Sequence, residues 1–106
     1  MSEFVKELTS ATFDAETSKG LVVVDFWAPR CAPCRMMAPL FAGVAEKLQG
    51  KAVFVKVDID ASPDIPGRFG IRAIPTFLVL KDGVEADVHT GTIRPDELIF
   101  LVNRNV

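Results

Sequence analysis

With 106 residues and a net charge of −2, the chain has the length of one domain, and it lacks both the basic excess of a nucleic-acid binder and a polybasic membrane patch. Its 49% hydrophobic and 25% charged content is that of an ordinary globular protein, with no repeat or low-complexity run. A chain of this length buries about two-thirds of its unfolded surface, so it needs no disulfide to fold.

The opening MSEFVKELTS lacks the charged-then-apolar pattern of a secretory signal, and no apolar run approaches membrane-spanning length. The expected setting is therefore soluble and cytoplasmic, where a stable structural disulfide is unusual. One domain is expected over residues 1–106. A first strand is expected around residues 4–8 and a first helix around 11–19. LVVVDFW (Leu21–Trp27) is short, β-branched and apolar on both faces, so it belongs in the middle of a covered sheet. Met37, Leu40, Phe41, Val44 and Leu48 then recur at helical spacing up to Gly50, and AVFVKVDI (52–59) is a second strand. Strand, helix and strand make a βαβ unit with an expected right-handed crossover.

A short helix is expected from Ser62 as N-cap, with Pro63 at its first position, Gly70 past its end and Pro66 making it irregular. TFLVL (76–80) and VEADVHT (Val84–Thr90) flank Lys81-Asp82-Gly83, and Asp-Gly is a strong hairpin signal. The last helix opens at Pro95, with Asp96 and Glu97 favourably placed for its dipole and Ile93 and Leu98 at hydrophobic-staple positions. The sum is an α/β domain, a mixed sheet with helices on both faces.

Both cysteines, Cys31 and Cys34, lie where the central strand ends and the long helix begins. Three residues apart on a first helical turn, they fall within disulfide reach. Cys31 faces first-turn N–H groups and the positive end of a dipole, which favour thiolate over thiol. Lowering a cysteine pKa from the ordinary value of about 8.5 to about 7 raises the thiolate fraction at pH 7 from roughly 3% to roughly 50%. A thiolate with a second thiol three residues on can attack a disulfide and be released by its neighbour. Other readings stand beside this one. A zinc or iron–sulfur site would need two chains to share ligands, since this one adds only His89. A Cys–His hydrolase would need His89 placed as base to Cys31. The pair could also be inert. Asp25 is the odd residue on its strand: a strand-end charge that reaches water, or a buried acid whose raised pKa suits it to proton transfer.

In order and separation, VVVDFWAPRCAPCRMMAP, KVDID, FGIRAIPTFLVLKDG and HTGTI resemble the thioredoxin family over nearly the whole chain. The resemblance implies the thioredoxin fold, a central mixed five-stranded sheet flanked by four helices. It implies a thiol–disulfide oxidoreductase that reduces protein disulfides, binds no cofactor or metal, and is recharged by a thioredoxin reductase with NADPH upstream. Residue by residue, it makes Cys31 the exposed nucleophile and Cys34 the buried resolving thiol. It makes Asp25 the acid that deprotonates Cys34, and Lys56 the cation that tunes Asp25, although a snorkelling surface lysine is an equal reading. Pro75 becomes the cis-proline beside the disulfide, and Ile74 the position that pairs with an extended client segment. Trp27, Ile59, Ala73, Gly91 and Thr92 match the rim of the docking face.

Arg30 and Ala32 depart from the family's usual Trp-Cys-Gly-Pro-Cys, so with Pro33 they become candidate determinants of docking and potential. Arg30 is expected to set a cation beside Cys31, favouring its thiolate and acidic partners. Disulfide-containing clients and the reductase are the expected partners, with a monomer as the default state. An oxidase or isomerase, a docking module with idle thiols, and a metal-bridged dimer are the alternatives.

Overall fold

The computed structural model describes residues 2–106; Met1, where the expected domain begins, lies outside the described residues. Its elements run β1 (Val5–Leu8), α1 (Phe13–Thr17), β2 (Leu21–Trp27), α2 (Ala32–Lys47), β3 (Val53–Asp58), α3 (Asp64–Arg68), β4 (Thr76–Lys81), β5 (Val84–Thr90) and α4 (Pro95–Asn103). The five strands form one sheet in the order β1-β3-β2-β4-β5. β1 and β2 pair parallel to β3, while β4 pairs antiparallel to β2 and to β5. This is the mixed sheet with four helices expected from the sequence.

β2 lies in the middle because both of its faces are apolar. Val22, Val24 and Phe26 join Phe13 of α1 and Ile65 of α3 in one core. Val23 joins Phe41 and Val44 of α2 and Leu98, Leu101 and Val102 of α4 in the other. α1 and α3 thus cover one face, α2 and α4 the opposite one. On the second face Phe41 sits between Phe54 and Phe77, at ring-centroid distances of 5.4 and 5.7 Å, and ties α2 to the sheet.

Two boundaries differ from the sequence-based expectation. Ser62 does not cap α3. Pro63 is the N-cap residue, and the buried Ser62 hydroxyl instead accepts a hydrogen bond from Ser10 N at 3.2 Å. A tertiary partner has taken the side chain that the local pattern assigned to capping. α2 ends at Lys47, short of Gly50, and its predicted apolar stripe is narrower than expected because Leu40 is 43% exposed. α2 also holds Pro39, which has no N–H to donate to Arg35. The α4 entry follows the pattern: Glu97 Oε1 accepts from Arg94 N at 3.2 Å, and Ile93 and Leu98 share a core.

Candidate active site

β2 delivers its last residues to one end of the sheet, and Ala28-Pro29-Arg30 carries the chain to Cys31, the N-cap residue of α2. Cys31 and Cys34 are joined as a disulfide, with Cα atoms 5.2 Å apart. Cys31 Sγ accepts a hydrogen bond from Cys34 N at 3.3 Å, an interaction that any negative charge on this sulfur would strengthen. The two sulfurs differ in access. Cys31 is partly exposed, whereas Cys34 is buried on the first turn of α2. A partner can therefore meet Cys31 and not Cys34.

Opposite the pair, the Ile74–Pro75 peptide bond is cis. Ile74 O lies 4.0 Å from Cys31 Sγ. Gly91 N donates to Pro75 O at 2.8 Å and Ile59 N to Trp27 O at 2.9 Å, linking the β5–α4 and β3–α3 loops to this end of the sheet. Ala32, Pro33, Ala73 and Thr92 are exposed, while Ile59, Ile74 and Gly91 are partly buried. His89 Nε2 lies 3.0 Å from the Thr92 carbonyl oxygen, a contact that ties the ring to the β5–α4 loop. Among the described residues, no three His, Cys, Asp or Glu side chains come together as a metal would require.

Asp25 is 3% exposed, so the water-reaching alternative does not describe it. Its neighbours in register are Lys56 on β3 and Phe77 on β4. Burial pushes its pKa from 3.8 up to about 7; the Lys56 ammonium opposes this and the Glu7 carboxylate reinforces it. A cleft of about 470 Å³ opens beside it and is lined by Asp25, Cys34, Trp27, Lys56 and Glu7 among others. Asp25 and the buried cysteine thus border the same space, where a proton can pass between them.

Two residues that the sequence did not single out shape this end of the molecule. Asp60 meets the Arg30 guanidinium through two hydrogen bonds of 3.0 and 3.1 Å, so the free cation expected beside Cys31 is one half of a bidentate ion pair. Glu7 accepts from Trp27 Nε1 at 3.2 Å and lies 3.9 Å from Lys56 Nζ. Asp60 follows a strand end and Glu7 sits in a weakly patterned strand. Strand pairing brings Glu7 to the site, and the loop that follows β3 brings Asp60.

The thioredoxin family model matches residues 4–104 of the chain. Thioredoxin of Listeria monocytogenes is 45% identical over 102 residues, spanning 96% of this chain and 99% of its own length. Thioredoxin of Bacillus subtilis is 39% identical over 102 residues, with 96% and 98% covered. Thioredoxin of Pseudomonas aeruginosa is 37% identical over 108 residues and covers both chains in full.

Proposed function

The chain belongs to the thioredoxin family and is a thiol–disulfide oxidoreductase that reduces protein disulfides; we propose the following roles for its residues. The Cys31 thiolate attacks one sulfur of a client disulfide, forming a mixed disulfide and expelling the other client sulfur as a thiolate. Cys34, losing its proton to Asp25, attacks Cys31 Sγ and expels the second client sulfur. The client gains two electrons, and the Cys31–Cys34 disulfide seen here is what the protein is left with. The observation that carries this reading is the asymmetry of the pair: a partly exposed Cys31 at a helix N-terminus, bonded to a buried Cys34 that borders the same cleft as Asp25.

Lys56 tunes Asp25 across the sheet. Pro75 lies beside the pair, and Ile74 offers its backbone to an extended client segment. Trp27, Ile59, Ala73, Gly91 and Thr92, with Ala32 and Pro33, form the surrounding docking rim; Arg30 enters it as a neutralised cation. The oxidised protein is returned to the dithiol by a thioredoxin reductase drawing on NADPH. The working form is a monomer acting in the cytoplasm as a single domain. No helix among the described residues is long and apolar enough to cross a membrane.

The test is the equilibrium potential of the Cys31–Cys34 couple against a thiol buffer, with Cys31→Ser as control. A couple at or below the cytosolic glutathione poise, about −220 to −320 mV, is expected, and Cys31→Ser abolishes turnover. A potential near −120 to −180 mV would make the protein an oxidant or isomerase instead. Client binding that persists in Cys31→Ser, with no reversible couple in the wild type, would leave a docking module.

A further inference from the structure

Glu7 has no place in the chemistry above, yet the sheet sets it in line with that chemistry. It is in register with Lys56, and Lys56 is in register with Asp25. The three side chains form a row of minus, plus and minus across three parallel strands, on the face covered by α2. The middle cation thus has a carboxylate on either side. Its Nζ lies 3.9 Å from Glu7 Oε1 and 4.7 Å from the centroid of the Trp27 ring. The indole Nε1 donates to the other carboxylate oxygen, Glu7 Oε2, at 3.2 Å. One glutamate thereby holds both the cation and the ring against which the cation rests. On the other side Asp25 Oδ1 is buried without a hydrogen-bond partner.

We propose that Glu7 is a positioning residue for the resolving step: it holds Lys56 against Trp27 and so keeps the ammonium from pairing with Asp25. The inference rests on the reading of Asp25 as the group that takes the Cys34 proton. A lysine side chain is long and flexible enough to serve either neighbour. With Glu7 neutralised, Lys56 turns to the one carboxylate left, and a cation at hydrogen-bond distance favours the charged form of a buried acid. Asp25 then ionises at lower pH and becomes a weaker base toward the Cys34 thiol. The other groups around Asp25 do not substitute for Lys56. On β4 it faces Phe77, and α2 contributes Cys34 and Arg35 to the cleft. Arg35 Nη1 donates to Pro29 O at 2.8 Å. A carboxylate that merely kept an edge strand soluble would leave the titration of Asp25 alone.

The experiment follows the Asp25 carboxyl carbon by NMR against pH in the oxidised protein, where the cysteines do not titrate. Wild type, Glu7→Gln, Lys56→Met and the double variant are compared. The same spectra report whether each variant is folded, and Glu7, being exposed, tolerates the isosteric change. Glu7→Gln is expected to lower the midpoint from about 7 by about one pH unit, tenfold in proton affinity. In the Lys56→Met background it moves the midpoint less than half as far. An unmoved midpoint, or an equal movement in both backgrounds, overturns the positioning of Lys56 by Glu7. The pH profile of mixed-disulfide resolution in a single turnover separates the two layers of the argument. An acid limb that follows the midpoint supports both. A profile that stays fixed while the midpoint shifts removes Asp25 from proton transfer, and with it Glu7 from the resolving step.

Discussion

Asp25 makes the protein less stable as pH rises. Its carboxyl ionises near 3.8 in the unfolded chain and at about 7 in the folded one. Between those values the folded state holds more protons than the unfolded state, so unfolding free energy falls with pH and levels off above 7. The full loss is about 4 kcal/mol, the penalty for carrying the charge in a buried site. Asp25→Asn removes the titration and leaves a pH-independent polar group. The expected outcome is that the variant gains about 4 kcal/mol on wild type between pH 4 and pH 8, read from urea unfolding of the oxidised forms. Equal pH dependence in both would place the ionisation elsewhere. Asp25 was legible in the sequence because a lone acid among Val, Phe and Trp breaks a pattern. Glu7 and Asp60 broke none: each is an ordinary polar residue near a strand end, and its meaning comes from the residue it meets across the fold.

At the scale of elements, those with strong local chemistry emerged where the sequence placed them. The β4–β5 hairpin is the clearest. Asp82 and Gly83 have φ of 51° and 82°, the left-handed pair that a two-residue turn requires. Asp82 is further held by Gly20, whose N–H donates to Asp82 Oδ1 at 2.8 Å and whose carbonyl accepts from Asp82 N at 2.9 Å. A Cβ at position 83 would meet only ordinary contacts with the backbone of Ser18 and Thr17, so the local backbone conformation alone opposes substitution there. Gly83→Val is expected to cost about 1–2 kcal/mol in thermal or urea unfolding. The reduction potential should stay as it is, because the turn is remote from the cysteines; a shifted potential would show that the hairpin and the site are coupled. Elements with weak local signals were legible only in outline. α1 and α3 have five residues each, too few for a periodic stripe to define. They are helices because Phe13 and Ile65 have a sheet face to cover, and the lost Ser62 cap has the same tertiary origin.

For the whole molecule, the end that carries Cys31 determines which partners approach it. The bidentate Asp60 contact pairs the charge of Arg30, so Arg30 itself adds little net charge to the proposed docking face. The expected preference of clients follows from that neutrality: disulfide peptides with acidic or basic flanks react at similar rates. Asp60→Asn frees the guanidinium. It is expected to favour the acidic peptide by about threefold or more at low salt, with the preference fading near 0.5 M salt as screening shortens to about 4 Å. An unchanged ratio would mean that charge takes no part in partner choice. The resemblance could not reveal this, because the usual tryptophan at position 30 carries no charge to be cancelled. The position of β2 has a consequence for the making of the protein. Its two neighbours, β3 and β4, both follow it in the chain. During synthesis the two cysteines therefore emerge before any strand that will flank them. Until the segment ending at Lys81 has followed, neither Phe77 opposite Asp25 nor Ile74 beside Cys31 is in place. A nascent chain stalled before that point bears two unguided thiols, and the reactivity of the pair arrives late, with closure of the sheet.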